Sequence, residues 1–330
     1  MRPLSYTRAG SVDEAIAVVS ADPASAFLAG GTSEVDLVRA GVMHPDLLVD
    51  INGLPLAEIE ALPHGGVRVG ALTRMSHMAR SQVVIEGYPA VSQALLLGAS
   101  EQLRNMASIG GNLCQRVRCP YFRDTAAACS KRDPGTGCSA LEGLNRGHAI
   151  LGTSERCIAT HPSDLAVALV AFDAVVHTIG PDGPSEIAID DFYLLPGGTP
   201  HIEHPLGHGE LIVAVELPPA EIARASLYLK YRDRQSYEFA LVSVAAAIEL
   251  NDGIVEDVRL ALGGVATKPW RARRAEQALI GTAATPEHFA VAAAAELEPA
   301  EVRRDNAFKV ELAQRAIVRA LTEAMNAGAR

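Results

Sequence analysis

All five cysteines of this 330-residue chain lie in one stretch of its sequence. They are Cys114, Cys119, Cys129, Cys138 and Cys157. None of the gaps between them is the C-x-x-C spacing of common zinc sites, and paired disulfides would leave one thiol over. Four thiolates on a flexible loop can instead surround a [4Fe–4S] cluster, because each iron needs one sulfur from the protein. The spacing favours an iron–sulfur cluster and leaves zinc and disulfides as alternatives.

Two glycine pairs with small polar neighbours form a second set of candidate residues. Gly30-Gly31 follows a short apolar run and precedes a helical pattern, and Gly110-Gly111 is followed by Asn112. A glycine pair before a helix can point bare backbone N–H groups at a phosphate. Two such turns could clamp the two ends of a pyrophosphate. Ordinary tight turns remain the alternative for each pair taken alone.

The cysteines occupy a segment with little hydrophobic periodicity. From residue 112 to residue 165 the chain is broken repeatedly by proline and glycine. An insert of this length inside a compact domain is uncommon and usually functional. His201, His204 and His208 lie in a later loop, where a solvated Pro/Gly-rich segment explains them better than zinc, because no cysteine accompanies them.

The hydrophobic pattern predicts the elements that position these residues. Strands are expected near residues 26–29, 47–51, 67–71, 174–179 and 211–215, with helices near 11–22, 35–38, 73–78, 89–105 and 165–172. After Pro219 the pattern changes to strands near 228–232, 240–247 and 258–262, followed by helices near 271–280 and 310–325. Alternating elements indicate an α/β unit, and strands followed by helices indicate an α+β domain.

Length and charge limit the possible functions. A chain of 330 residues exceeds the size of most single cores, so two or three domains are expected. The formal net charge of -10 argues against a nucleic-acid partner, which would need an excess of Lys and Arg. The N-terminus lacks the pattern of a signal peptide, and no apolar run is long enough to cross a bilayer. We therefore expect a soluble protein with no export signal of its own and no direct membrane insertion.

Three sequence stretches resemble one known family. They are Ala29-Gly30-Gly31-Thr32, the run from Leu103-Arg104-Asn105 through Ser108-Ile109-Gly110-Gly111-Asn112-Leu113, and Pro162-Ser163-Asp164-Leu165. Together they resemble the FAD-binding medium subunit of the xanthine dehydrogenase family of molybdenum hydroxylases. The runs around Cys119, Cys138 and Cys157 are similar to the FAD subunit of bacterial periplasmic aldehyde oxidoreductases, which carries an additional [4Fe–4S] cluster. The resemblance covers nearly the whole chain.

The resemblance implies a fold and a domain organisation. The class is α+β, with an FAD-binding PCMH-type domain of two α/β subdomains at residues 1–220. An iron–sulfur insert occupies about residues 114–160 of that domain. Residues 221–330 would form a C-terminal α+β domain like that of carbon monoxide dehydrogenase flavoproteins.

The resemblance also assigns site residues. The expected FAD-binding residues are Leu28, Ala29, Gly30, Gly31, Thr32, Ser33, Ile109, Gly110, Gly111, Asn112, Asp164 and Lys230. The expected ligands of the cluster are Cys119, Cys129, Cys138 and Cys157. Cys114 is expected to be the spare cysteine, because relatives can have an apolar residue there.

The function implied is electron transfer. Electrons would pass from a molybdenum-cofactor large subunit through a [2Fe–2S] small subunit to the FAD of this chain, and then to an external acceptor. An aldehyde oxidoreductase is the expected complex. A xanthine or N-heterocycle dehydrogenase and a hydroxybenzoyl-CoA reductase are the alternatives, and a scaffold subunit with zinc or disulfide staples is a further one. The complex would work in the cytoplasm, or in the periplasm if a partner carries an export signal.

Overall fold

The computed structural model describes residues 3–328 and contains three β-sheets. The first sheet is parallel and has the strand order β1-β3-β2. Its elements are β1 (Ser5–Arg8), α1 (Val12–Ala21), β2 (Ser25–Leu28), α2 (Glu34–Arg39) and β3 (Leu47–Asp50). Helix α1 begins where predicted, because the Ser11 side chain accepts a hydrogen bond from the Glu14 N–H and caps its first turn.

The second sheet has five strands in the order β4-β5-β8-β6-β7, and all its neighbouring strands are antiparallel. Its strands are β4 (Ile59–Ala61), β5 (Val67–Gly70), β6 (Val175–Gly180), β7 (Gly183–Ala188) and β8 (Leu211–Leu217). Eight helices accompany them: α3 (Met75–Arg80), α4 (Gln82–Gly87), α5 (Pro89–Leu97), α6 (Glu101–Met106), α7 (Ile109–Leu113), α8 (Pro120–Arg123), α9 (Asp164–Ala171) and α10 (Ile189–Phe192).

The third sheet is antiparallel and has the order β12-β11-β10-β9. A short 3-10 helix, Glu221–Ala225, leads into it. Its elements are β9 (Leu227–Tyr231), β10 (Val242–Asn251), β11 (Ile254–Gly263), β12 (Trp270–Arg271), α11 (Arg273–Leu279), α12 (Pro286–Leu297) and α13 (Phe308–Gly328). Helix α13 packs on β10, so the strands-then-helices pattern forms the layered α+β domain that was predicted.

Helix α9 lies at the centre of the molecule. All eight of its residues are buried, and it packs against α5 on one side and against β10 and β11 on the other. Such a helix can be apolar all round because no face meets water. Asp164 is its first residue, so the chain carries a carboxylate into this buried position.

The cysteine insert has little regular structure, as predicted. Between α7 and α9 the chain forms one four-residue helix, α8, and a few isolated backbone pairings. Cys129 pairs with Cys138, and Ser154 pairs with Cys157. The end of the insert pairs with the C-terminal domain, because the N–H of Ile150 donates to the Val265 carbonyl at 2.8 Å.

Three local predictions differ from the structure. The predicted helix from Pro89 towards residue 105 is two helices, α5 and α6, because Ala99 between them has φ +50°. A strand that the hydrophobic pattern did not predict, β7, begins at Gly183. The second glycine pair is not a turn but part of α7, whose N-cap is Ser108.

No helix in the part of the chain between residues 3 and 328 has the length and apolar character needed to cross a membrane.

Candidate functional site

The first glycine pair is fixed by two different constraints. Gly30 lies directly against the backbone of Met106, and a Cβ at position 30 would overlap the Met106 carbonyl oxygen. Gly31 has φ +69°, a conformation that side chains with a Cβ rarely adopt. Position 30 therefore requires glycine because of close packing, and position 31 because of its backbone angle.

Two side chains that the sequence did not single out hold the first glycine loop in place. The Asn52 side-chain amide donates to the Ala29 carbonyl at 2.8 Å. Arg74 donates to the Met106 carbonyl at 2.6 Å and to the Asn52 side-chain oxygen at 2.8 Å. The Asn-Gly turn after β3 was the available signal for Asn52, whereas nothing in the local sequence marked Arg74.

The second glycine pair starts a helix rather than a loop. Ser108 accepts a hydrogen bond from the Gly111 N–H at 3.3 Å, and the Gly110 N–H donates to the Ala71 carbonyl at 2.8 Å. Asn112 accepts a hydrogen bond from the Ser163 hydroxyl at 2.5 Å, which ties α7 to the start of α9. The pair is therefore held by the second sheet and by the central helix together.

Two adjoining cavities lie along these loops. The first, called here the glycine-loop cavity, has a volume of 540 Å³. Small-molecule sites typically measure about 300–1,000 Å³. Its lining includes residues 29–33, Gly110, Gly111 and residues 206–212. The second, the Asp164 cavity, measures 460 Å³ and is lined by Asn112, Asp164, Lys230 and residues 237–239 among others. Both cavities share Thr32, Ser33 and Gly111, so they form one continuous cleft.

Ten of the twelve residues predicted to bind FAD line this cleft. The other two do not. Ile109 is fully buried in the hydrophobic core, and Leu28 ends strand β2 without lining either cavity. Both are neighbours in sequence of cleft residues, but neither lines the cleft.

A buried ion pair forms one wall of the Asp164 cavity. The Lys230 ammonium lies 2.7 Å from one Asp164 carboxylate oxygen, and the Tyr228 hydroxyl donates to the other at 2.7 Å. Lys230 also donates to the Leu97 carbonyl at 3.1 Å. Burial raises the pKa of Asp164, while Lys230 and Tyr228 act in the opposite direction. The pair places one hydrogen-bonded cation and one carboxylate at the edge of the cleft.

Four of the five cysteines lie near one another. Burial raises the pKa of the Cys119 thiol to about 12, with contributions from Cys157 and Cys129. Burial likewise raises the pKa of Cys157 to about 11, with contributions from Cys138 and Cys129. The pKa of each of these thiols depends on its neighbours, because charges in a poorly solvated region interact strongly.

Cys114 lies apart from this group. Burial raises the pKa of its thiol to about 12, but the charge that adds to this effect is Glu203 and not another cysteine. Its side chain lines the glycine-loop cavity. The four grouped cysteines are those predicted as ligands. All five are free thiols, and within residues 3–328 no three His, Cys, Asp or Glu side chains form a group that could hold a metal ion.

Arg118 joins the cysteine group to the glycine loop. Its guanidinium donates to the Ser33 hydroxyl at 3.1 Å and to the Asp36 carboxylate at 3.2 Å. The next residue, Cys119, belongs to the cysteine group. A third cavity of 320 Å³ is lined by Cys119 and Asp164 among others, and it therefore reaches from the cysteines to the cleft. Nothing in the local sequence marked this role of Arg118.

The insert is tied to the other side of the cleft by a second buried contact. The Lys131 ammonium lies 3.0 Å from Glu203 and donates to the Pro200 carbonyl at 2.8 Å, and Arg116 contacts the same Glu203 carboxylate. Burial raises the pKa of Glu203, but Arg116 and Lys131 outweigh it, so the pKa is lowered. Glu203 is thus held as a carboxylate next to His204, which lines the glycine-loop cavity.

Comparison with known proteins identifies this architecture. Residues 2–220 match the family described as the FAD binding domain in molybdopterin dehydrogenase. Residues 227–324 match the CO dehydrogenase flavoprotein C-terminal domain. Carbon monoxide dehydrogenase from Hydrogenophaga pseudoflava superposes with a TM-score of 0.76, covering 99% of this chain and 98% of that chain at 24% sequence identity.

Two curated relatives extend this result. The aldehyde oxidoreductase FAD-binding subunit PaoB of Escherichia coli K12 is 48% identical over 325 residues, which cover 98% of this chain and 99% of that protein. The glyceraldehyde dehydrogenase medium chain of Sulfolobus acidocaldarius is 29% identical, covering 84% of this chain and 81% of that protein. The predicted family and α+β fold are confirmed, and the chain belongs to the FAD-binding subunits of the molybdenum hydroxylases, a family of oxidoreductases.

Proposed function

We propose that this chain is the FAD- and [4Fe–4S]-containing electron-transfer subunit of an aldehyde oxidoreductase. Its partners would be a large subunit with a molybdenum cofactor and a small subunit with [2Fe–2S] centres. Electrons from aldehyde oxidation would reach this chain through those partners and leave it to an external acceptor. The observation that carries the proposal is the group of four thiols joined to the FAD cleft by Arg118.

The cleft supports a specific arrangement of FAD. The loop at residues 29–33 would bind the pyrophosphate through backbone N–H groups, since a glycine-rich loop favours an anion. The start of α7 would form the opposite wall of the cleft without donating, because the N–H groups of Gly110 and Gly111 already donate to Ala71 and Ser108. Asp164 and Lys230 would border the flavin end of the cofactor, at the far side of the shared residues Thr32, Ser33 and Gly111. Bound FAD supplies the electron-accepting chemistry, and these residues bind and orient it.

The four grouped thiols fit a multi-iron cluster better than a single ion. A single zinc would need its ligands around one point, and none of the gaps between these cysteines is the C-x-x-C spacing of common zinc sites. A [4Fe–4S] cluster needs one thiolate on each of four irons, so its ligands stand further apart. Cys119, Cys129, Cys138 and Cys157 would be these ligands, and the free state of all the cysteines argues against disulfide staples.

The aldehyde class rests on one relative. The protein that is 48% identical over nearly the whole chain is named as a subunit of an aldehyde oxidoreductase. A putative xanthine dehydrogenase FAD-binding subunit from the same organism is 27% identical over 83% of this chain. The higher identity and the fuller coverage favour an aldehyde as the substrate of the complex over a purine.

Purified protein provides the test. We expect flavin absorption bands, a broad shoulder that disappears on reduction, and about four irons per chain. Large and small subunits should co-purify, and the complex should reduce an artificial acceptor with aromatic or aliphatic aldehydes and not with xanthine. A colourless protein with stoichiometric zinc would overturn the proposal. Activity with xanthine alone would move the complex to the other substrate class.

A further inference from the structure

His148 contacts one of the four grouped cysteines. Its Nε2 atom lies 3.2 Å from the Cys119 sulfur, which is within hydrogen-bond distance for a sulfur acceptor. The residue is only 5% exposed. Its other ring nitrogen, Nδ1, is buried and has no hydrogen-bond partner among residues 3–328. The ring therefore directs its one polar contact at the sulfur.

The C-terminal domain fixes the backbone that carries His148. The fully buried Asn306 donates to the His148 carbonyl at 3.4 Å and to the Ala149 carbonyl at 3.1 Å. The ammonium of Lys309, also fully buried, donates to the Gly147 carbonyl at 3.0 Å and to the Gly264 carbonyl at 2.6 Å. Burying a lysine is costly unless its hydrogen bonds are made, so this clamp strongly favours one position of the segment.

The chemistry of iron ligation decides which of the two atoms, Nε2 of His148 or the Cys119 sulfur, donates the hydrogen bond. A cysteine that binds iron does so as a thiolate and has no proton to donate. A contact between that sulfur and Nε2 must then be an N–H donating to sulfur, which leaves Nδ1 as the ring's unprotonated nitrogen. Hydrogen bonds to the sulfurs are among the factors that set the reduction potential of an iron–sulfur cluster. They stabilise the more electron-rich, reduced state and raise the potential.

We propose that His148 is a positioning residue that donates a hydrogen bond to the Cys119 thiolate and raises the reduction potential of the cluster. This inference rests on the proposed [4Fe–4S] function. Four cysteines already satisfy the four irons, so His148 is not itself a ligand. Lys309 in the last helix of the C-terminal domain, and Asn306 just before that helix, hold the segment that carries His148. The C-terminal domain thereby helps to set the reduction potential of a cluster bound in the other domain.

Two substitutions test the proposal in the complex as purified. His148→Leu removes the donor, and His148→Gln keeps an N–H on a side chain of different reach. We expect both variants to retain about four irons per chain. A redox titration followed by electron paramagnetic resonance should show a lower potential in His148→Leu and a smaller decrease in His148→Gln. His64→Leu, at an exposed histidine in the turn between β4 and β5 whose contact is with Glu216, is the matched control and should leave the potential unchanged.

A measurement on the unmodified complex makes the test independent of how well the variants fold. With histidine labelled by ¹⁵N, pulsed resonance of the reduced cluster should detect a weak nitrogen coupling, as expected across a hydrogen bond. A strong coupling would make His148 a ligand, and no coupling would mean no contact; either result overturns the proposal, as does an unchanged potential in His148→Leu. Absence of iron from the unmodified protein would instead overturn the proposed function.

Discussion

The glycine loops and the cysteine insert are ordered in different ways. The glycine loops join regular elements, and their shape is set by the main chain, as in the contact of Gly30 with the Met106 backbone. The insert has little regular structure and is held by side chains. Arg132 alone donates to the carbonyls of Tyr121, Phe122 and Asp124 at 2.8–3.0 Å. A site made by the backbone is formed before its ligand arrives, whereas a site made by thiols depends more on what binds there.

The protonation of the thiols explains this dependence. Burial raises the pKa values of Cys119 and Cys157 to about 12 and 11, so both are neutral at neutral pH when no metal is bound. Metal ligation requires thiolates and releases their protons. If the insert holds the proposed cluster, its loading would therefore be coupled to pH, whereas the backbone N–H groups of the first glycine loop do not titrate near neutral pH. Five predictions test this contrast, ordered from the largest expected effect to the smallest.

Loss of one grouped cysteine should abolish the cluster. Cys138→Ser removes one of four thiolates, so we expect loss of the roughly four irons per chain. Cys114→Ser is the matched control, because that thiol lies on the glycine-loop cavity apart from the others, and it should keep the iron. Iron and sulfide analysis with the visible spectrum measures both. Retention of iron in Cys138→Ser together with its loss in Cys114→Ser would reverse the ligand assignment.

Loss of the Lys230 cation from the buried pair with Asp164 should lower the stability of the protein. Lys230→Met leaves the Asp164 carboxylate buried without its partner, which costs about 3–5 kcal/mol. The side chains are 1% and 8% exposed, whereas those of Arg146 and Asp233 are 53% and 54% exposed. Arg146→Met is therefore the control and should cost less than about 1 kcal/mol. Urea denaturation measures the free energy of unfolding of both variants. Equal losses would contradict the assignment of Asp164 and Lys230 as a buried ion pair.

The free energy of unfolding of the Lys230→Met variant should also depend more strongly on pH than that of the unsubstituted protein. Burial raises the pKa of Asp164 above that of the unfolded chain, so the folded state binds the proton more tightly. Such a group loses stability as pH rises from the unfolded pKa towards the folded one. Removal of Lys230 raises the pKa of Asp164 in the folded state further. The pH range over which stability is lost therefore extends to higher pH. The deficit relative to the unsubstituted protein should be smaller at pH 5 than at pH 8.

The first glycine loop should tolerate no added methyl group at position 30. Gly30→Ala forces the Met106 backbone to move, at a cost of about 1–3 kcal/mol. If this strain appears in the bound state, the affinity for FAD falls roughly 5- to 150-fold. Gly198→Ala is the control, because a Cβ there meets nothing within 4 Å. Flavin fluorescence titration compares the two, and identical affinities would show that the loop adapts.

The smallest effect is expected at the start of α7. Ser108→Ala removes an N-cap at a cost of about 1 kcal/mol and leaves the N–H of Gly111, a residue that lines the cleft, without its side-chain acceptor. Ser11→Ala removes a similar cap from α1, which is remote from the cysteines. Thermal denaturation should give similar losses for both variants. Only Ser108→Ala should also weaken FAD binding, so a parallel loss in Ser11→Ala would mean that the effect is not local.

Much of the fold was predictable from the sequence because its signals are local. Ser11 caps α1, the apolar run after Asp164 forms the buried helix α9, and the change of pattern after Pro219 precedes the antiparallel sheet. The division between α5 and α6 was missed because it depends on a single residue, Ala99, with positive φ. Nothing in a hydrophobic pattern reports the backbone angle of one alanine.

The sequence by itself determined which residues could do chemistry. It concentrated the cysteines in one insert and placed two glycine pairs beside small polar residues, and both facts can be read without a structure. Only the tertiary structure excluded Leu28 and Ile109 from the lining of the cleft. It also brought Arg118 to Ser33 and His148 to Cys119. The physical reason is that residue type and spacing define what a segment can bind, whereas packing between distant segments decides which side chains meet.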